Sequence, residues 1–379
     1  MSSSGFRSAG LAAPRTPPPR PAPQATREAS SHIGWGTPQP AGPATFTALR
    51  VTRVRPWTRL LALRGALEPA LAAIASGGAQ ACAAVGVVHE VGAELQRLCA
   101  LDPDAMLAVP LLLEGGHCAT RHAIASAVVL EFMLARHGTE RVVRRSAVRA
   151  ALTMNVGMHA LQQALYAHAG PLTPGQRAGV LEHPSVGTAR LRDAGVDDAC
   201  WLAVVAQHHE HADGSGYPRH IGGTALCFEA QALMIAERWC AMVAPRAYRS
   251  GAPPDRALDW LLARLGGQAA PRAGALLVEA VGPTPPGTPV RLADGELGMV
   301  WRRTAQPSEP LVWVLRTADG LPIDGGARRA SSDPRHRIAG CEPREALGAV
   351  PDPVAMWEAS EMSAPGLNRV PAAAQPAAY

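Results

Sequence analysis

The stretch His208-His-Glu-His-Ala-Asp-Gly-Ser-Gly-Tyr-Pro218 sets two adjacent imidazoles at the end of an apolar run, Trp201-Leu-Ala-Val-Val205, and follows them with a glycine-rich loop. Imidazoles titrate near neutrality and bind divalent metals, so two delivered to one place can serve metal or acid–base chemistry. Upstream lie His183, in His183-Pro-Ser-Val-Gly187, and His122; downstream, Glu237 sits in the apolar run Ile235-Ala-Glu-Arg-Trp239. Any one of these is readily explained as a hydrogen-bonded core residue. As a set they are four histidines and one carboxylate on separate helices, a donor inventory that suits a metal centre. His117, His159, His168, His211 and His220 have no such company and read as surface or loop residues.

These side chains need a scaffold, and residues 57–282 supply a helical one: apolar residues recur at helical spacing between Gly and Pro breaks, with little strand-like alternation. His137-Gly138 marks one stop, where a helix begun near Arg121 meets glycine. The texture changes after Pro283-Thr-Pro-Pro286. Pro289-Val-Arg-Leu292, Leu297-Gly-Met-Val-Trp301 and Leu311-Val-Trp-Val-Leu315 are short β-prone runs, with Ala293-Asp-Gly295 and Asp319-Gly320 at turn positions. The expected organisation is a disordered Pro/Ser/Arg-rich tail over 1–45, a helical region over 46–115, a helical domain over 116–282, a small β-module over 286–345, and a tail over 346–379 holding at most a short helix near Met356-Trp357. Two or three strands are marginal alone, so the module is expected to pack its apolar face on the helical domain or to pair with another chain, with Trp301 and Trp313 as anchors.

Composition narrows the chemistry. The 379 residues include 36 Lys+Arg, every one of them arginine, which excludes mechanisms that need a lysine. Residues 1–55 hold seven arginines and one glutamate, a net +6 against +5 for the whole chain, so the remainder is close to neutral and no nucleic-acid duplex is expected as a partner. Seven cysteines without a CxxC pair fit neither a disulfide framework nor a zinc ribbon and suit a reducing, cytoplasmic setting. No run reaches the ~18–20 uninterrupted apolar residues of a membrane span, so no membrane is expected either.

From 116 to about 265 the sequence resembles the HD-GYP phosphohydrolases, a branch of the HD superfamily whose studied members mostly hydrolyse cyclic di-GMP. The element His-His-Glu-x-x-Asp-Gly-Ser-Gly-Tyr-Pro is present without mismatch at 208–218. Pro171-Leu-Thr173, His183-x-x-x-Gly187 and Arg246-Ala-Tyr-Arg249 support it, the last with alanine for the family's proline. The resemblance implies a mainly α fold carrying an HD-GYP helical domain, with the small C-terminal β-module and disordered tails as additions. It also implies His122, His183, His208, His209 and Glu237 as metal ligands, the last in place of an aspartate, and Arg246 and Arg249 as residues that meet substrate phosphate. Its loop, here Asp213, Gly214, Gly216, Tyr217 and Pro218, is implicated in contacts with diguanylate cyclase domains.

The same resemblance exposes departures. The His-Asp doublet that names the superfamily is Met154-Asn155, the family's lysine falls on Met158, and a further acidic ligand falls on Cys118. In a two-metal hydrolase the doublet aspartate bridges ions about 3.5–4 Å apart and helps ionise their shared water. A neutral amide is a poor bridge, and a thioether is too soft a ligand for Mn²⁺ or Fe²⁺ among oxygens and imidazoles. The expectation is a metal-dependent, cyclic di-GMP phosphodiesterase-like phosphohydrolase with impaired turnover, holding at most one Fe²⁺, Mn²⁺ or Zn²⁺ ion, or none. The alternatives are a non-catalytic cyclic di-GMP sensor and a protein-interaction module acting through the loop.

Overall fold

The computed structural model describes residues 55–359 apart from 247, 248, 266–270, 349 and 351; the tail expected over 1–45 and the end of the chain from 360 lie outside the described residues. The first helix, α1 (Pro56–Ser76), starts on a proline, which loses nothing at a position whose N–H has no helical partner. Gly77 and Gly78, with φ of 77° and 83°, turn the chain into α2 (Ala79–Leu101). Short α3 (Pro103–Leu107) and α4 (Val109–Leu112) lead to α5 (Cys118–His137), which stops at Gly138 in the left-handed region. Then follow α6 (Arg141–Thr153), α7 (His159–Tyr166), α8 (Pro174–Asp193), α9 (Ala199–Gln207), α10 (Phe228–Val243), α11 (Pro254–Leu265) and α12 (Pro271–Val281).

Starts and stops of these helices follow from local chemistry. Thr173 and Gln176 form a capping box at the start of α8: the Gln176 N–H donates to Thr173 Oγ1 and the Thr173 N–H to Gln176 Oε1. Asp198 caps α9 by accepting from the Trp201 N–H at 2.9 Å. At the centre lies α5, packed on α6, α10 and α12. It is long and apolar enough to cross a membrane, yet its residues are mostly enclosed by these neighbours, as befits the core helix of a bundle. One apolar core runs from Trp57 to Trp357 without a break. The expected boundary near 115 is therefore a change of element and not of core.

The β-module is larger than its sequence suggests. Five antiparallel strands, β1 (Pro289–Leu292), β2 (Leu297–Arg302), β3 (Leu311–Arg316), β4 (Pro322–Ala330) and β5 (Ile338–Cys341), pair in the order β4-β3-β2-β1-β5. Alternation splits the sheet into two faces. Val290, Leu292, Val300, Val312 and Val314 form a small core of their own, while Leu297, Met299, Trp301 and Leu315 point the other way and join the helical core. Trp301 and Trp313 also meet edge to face, ring centres 5.7 Å apart. Bidentate Arg302 to Asp102 (2.8 and 3.2 Å) and Arg303 to Asp104 (2.6 Å) tie β2 to α3. In the stretch from 346, expected as tail with at most a short helix near Met356-Trp357, Ala355–Ala359 form a helical turn whose Met356 and Trp357 are buried, with Trp357 against Trp57 at 5.9 Å. Two large apolar side chains in one turn bury enough surface to hold it down.

Candidate active site

His183, His208 and His209 come from α8 and from the end of α9, and their ligand atoms lie within 4.8 Å of one another. Local backbone chemistry aims two of these rings. Pro184 has no N–H, so the carbonyl of Val180, four residues earlier, loses its helical partner. His183 Nδ1 sits 2.6 Å from that oxygen. His208 does the same at the end of α9, where carbonyls run out of partners: its Nδ1 is 2.8 Å from the Val205 oxygen. A carbonyl only accepts, so each Nδ1 carries the proton and each Nε2 presents a lone pair.

Those two Nε2 atoms are 3.1 Å apart. Burial, and then the neighbouring His208, push His183 down to about 3, and burial also lowers His208, so both rings are neutral at pH 7. Two lone pairs at that distance cannot hydrogen-bond to each other. A cation satisfies both, since two nitrogens on one ion at about 2.0–2.1 Å stand roughly 3.0–3.4 Å apart. Fixing Nδ1 on a backbone carbonyl is the usual outer-shell arrangement of a metal-binding histidine. His209, lowered well below the ordinary imidazole value by burial and by its histidine neighbours, adds a third neutral donor. The donor set fits a divalent metal.

His122 and Glu237 form a pair beside this trio, His122 Nε2 donating to Glu237 Oε1 at 2.9 Å. Burial alone would raise the Glu237 carboxyl, but the hydrogen bond from His122 and the surrounding basic groups overcome it and hold the group ionised. A cavity of about 680 Å³ is lined by both residues together with His209, Tyr217, Asn155 and Met158. His183 and His208 are fully buried and do not line it. Of the doublet positions, Met154 is wholly buried in the apolar core, while Asn155 lines the cavity with its Oδ1 buried and lacking a hydrogen-bond partner among the described residues. Met158 and Cys118 add neutral wall where a lysine and a carboxylate were in question, and burial keeps the Cys118 thiol protonated by raising it.

The turn that carries Asn155 and Met158 presses on α8. A Cβ on Gly157 would lie 2.2 Å from the His183 carbonyl oxygen and 2.7 Å from the Gly187 nitrogen, so only glycine lets the two backbones approach this closely. Gly187 is the less strict side of this contact, since a Cβ there would lie 3.3 Å from the Gly157 nitrogen.

The loop over 213–218 is held by side chains that sequence reasoning passed over. Glu210, buried, accepts from the Arg219 and Ile221 N–H groups at 2.6 and 3.1 Å. Asp213 Oδ1 accepts from Ser215 N and Oγ, and His211 bridges Ser215 Oγ to the Arg238 guanidinium. His211, expected at the surface or in a loop, is a loop residue that fastens its neighbours, and His168, also in a loop, lines the cavity. Gly216 packs where a Cβ would meet the His211 nitrogen at 2.4 Å. Tyr217 stacks on His209, ring centres 4.7 Å apart. Gly214 takes φ 75°, and Pro218 follows a cis bond. The signal for Glu210 was its place directly after the paired histidines.

Arg249 requires a correction. Its guanidinium donates to the carbonyls of Ala241, Met242 and Ser250, capping the C-terminal end of α10, and the residue does not line the cavity. Arg246 lines the cavity, as does Arg344, a residue beyond the reach of any motif.

Residues 110–267 match the HD domain family, so the class defined by fold and site is that of HD domain proteins. The adjacent histidines and the Gly-Ser-Gly-Tyr-Pro loop narrow this: the segment is an HD domain of the HD-GYP type. It is 27% identical over 267 residues to the cyclic di-GMP phosphodiesterase PA4108 of Pseudomonas aeruginosa, covering 69% of this chain and 62% of that protein. Over 113 residues it is 31% identical to the cyclic di-GMP phosphodiesterase response regulator RpfG of Xanthomonas campestris, covering 30% of each. The chain thus spans less than two thirds of the length of either relative. The HDG"Y"P protein Bd1817 from Bdellovibrio bacteriovorus shares the fold, with a TM-score of 0.52 at 15% identity over 61% of this chain and 73% of that one.

Proposed function

We propose that this domain is a metal-dependent, cyclic di-GMP phosphodiesterase-like phosphohydrolase that holds a single divalent ion and turns over slowly. One observation carries the reading: oriented imidazoles converge beside the cavity, His209 at its wall with His183 and His208 buried against it, while the position of the bridging carboxylate is an amide, Asn155, whose oxygen has no hydrogen-bond partner among the described residues. His183, His208 and His209 would hold the ion, for which Fe²⁺, Mn²⁺ and Zn²⁺ are all suitable. When bound, such an ion acts as a Lewis acid towards a phosphoryl oxygen and lowers the pKa of its water. Glu237, kept ionised at the cavity wall, is a proton acceptor at Oε2 while His122 occupies Oε1. Tyr217, raised above the ordinary phenol value by burial, stays a neutral donor. Asn155 offers an amide dipole to a phosphodiester but no charge to a second cation. Cyclic di-GMP enters as substrate on the strength of the relatives' names.

Metal analysis of anaerobically purified protein beside a cyclic di-GMP turnover assay tests this. One ion per chain with turnover far below that of intact family members is the expected result. Two ions with rapid turnover would overturn it, and tight binding without any turnover would make the domain a sensor. A third reading, an interaction module, is favoured by the exposed but well-fastened loop tip at Asp213 and Ser215. Binding of a purified diguanylate cyclase domain that is lost on Asp213→Arg would support it.

A further inference from the structure

Among the described residues, the cavity wall includes one from beyond the β-strands of the C-terminal module. Arg344 belongs to a short 3-10 turn, Arg344–Leu347, that follows β5. The turn is anchored to the sheet on both flanks: Glu342, just before it, pairs with Arg291 of β1 at 2.6 Å, and the Leu347 carbonyl accepts from Arg316 Nε of β3 at 2.7 Å. Leu347 itself is buried in the main core. On the helical side, Glu345 accepts from Ser250 Oγ at 2.6 Å. Arg344 is therefore delivered to the cavity by a rigid support, which is what a recognition residue needs.

Its present partners are modest. Arg344 Nη2 is 2.6 Å from Glu114 Oε1, and Nη1 donates to the Leu111 carbonyl at 3.3 Å. The Glu114 side chain is 66% exposed, and an ion pair this open to water contributes little. Glu114 and Gly115 line the same cavity, as does Arg246. A phosphodiester offers a guanidinium two coplanar oxygens, a stronger and more directional partner than a solvated carboxylate.

We infer that Arg344 is an anion-recognition residue of this cavity, contributed by the β-module, and that Glu114 keeps its guanidinium in place until a phosphate-bearing ligand takes it over. The ligand class is a phosphodiester or other phosphate anion; that it is a cyclic dinucleotide rests on the function proposed above. The β-module is then a wall of the binding site and not an appendage.

Calorimetric titration of the full-length chain with cyclic di-GMP, and separately with inorganic pyrophosphate, tests this across the wild type, R344A, R344K and E114Q. R344A should weaken binding of both probes by about tenfold, the usual consequence of removing a charged hydrogen-bond donor. R344K should recover part of that loss, and E114Q should tighten binding several-fold because the competing carboxylate is gone. Melting temperatures accompany each variant, and if R344A fails to fold, R344K and E114Q carry the comparison. Unchanged binding by R344A, or E114Q weakening binding as R344A does, overturns the inference. Wild type that binds pyrophosphate through Arg344 but ignores cyclic di-GMP overturns the dinucleotide reading alone. Cyclic di-GMP binding that is indifferent to Arg344 overturns the role of Arg344 alone, and binding of neither probe overturns both.

Discussion

The histidine side, His183, His208 and His209, of which His209 reaches the cavity wall, and the doublet side, Met154, Asn155 and Met158, of which Met154 stays in the core, sit on neighbouring elements of one bundle, yet they differ in every property to which a cation responds. On the first, rings are buried, neutral and aimed by backbone oxygens that have no other partner. On the second, one side chain has become core, one is an amide with an idle oxygen, and one is a thioether on the wall. The difference teaches what the scaffold demands for its own sake. Removing a histidine from the first side strands the Val180 or Val205 carbonyl in a dry interior, a penalty unconnected with catalysis. A methionine at position 154 leaves nothing stranded. Chemistry can be lost from one side at no cost to folding, and from the other it cannot.

The sharpest attack on this contrast is His208→Ala, which should drop bound metal from one ion per chain to near none; retention of full metal content would mean that the buried rings are packing residues only. Next in size, Asn155→Asp should add a second ion and raise cyclic di-GMP turnover by about tenfold or more, because this side chain already faces the cavity. Adding Met154→His places a polar ring in the apolar core at a cost of about 1–3 kcal/mol, so the double variant should be the less stable of the two. Matched kinetics and denaturation curves decide, and an Asn155→Asp protein as slow as wild type would erase the distinction between the two sides. Acid titration of metal-stripped protein probes the first side directly. The value for His183 falls from 6.5 to about 3 on folding, so between those limits the unfolded chain binds more protons. Stability is then complete above pH 6.5 and declines as pH falls, by about 1.4 kcal/mol per pH unit for each such ring. A flat profile from pH 7 to 4 would show the rings to be exposed. The smallest effect belongs to Arg272→Ala, whose pair with Glu279 on α12 is open to water and away from the cavity wall, and which should lower stability by less than about 1 kcal/mol and leave metal content untouched in the same assays.

The helices and the convergence of His183, His208 and His209 were legible in the sequence because both rest on short-range patterns: apolar spacing, Gly138 and Thr173 at helix ends, and paired histidines before a glycine loop. The strands β1 to β3 were legible for the same reason. Strands β4 and β5 were not, since they are sheet edges, and an edge with little buried surface carries no apolar alternation, as Pro322-Ile-Asp-Gly-Gly-Ala-Arg-Arg-Ala330 shows. Arg249 was misjudged because a guanidinium that caps α10 and one that meets phosphate look alike in one dimension. Arg344 had no signal at all, because its role depends on how a distant turn docks.

Pro184 acts on the freedom of a side chain as well as on the course of a helix. A proline inside α8 would ordinarily count as an interruption, yet the oxygen it releases fixes the ring of its own neighbour. An imidazole on a helix otherwise samples several rotamers, and any ligand it receives must first bear the entropy of choosing one. Here that choice is made during folding, by the chain itself, before any ligand arrives. A Pro184→Ala protein would have a straighter helix and a ring free to wander.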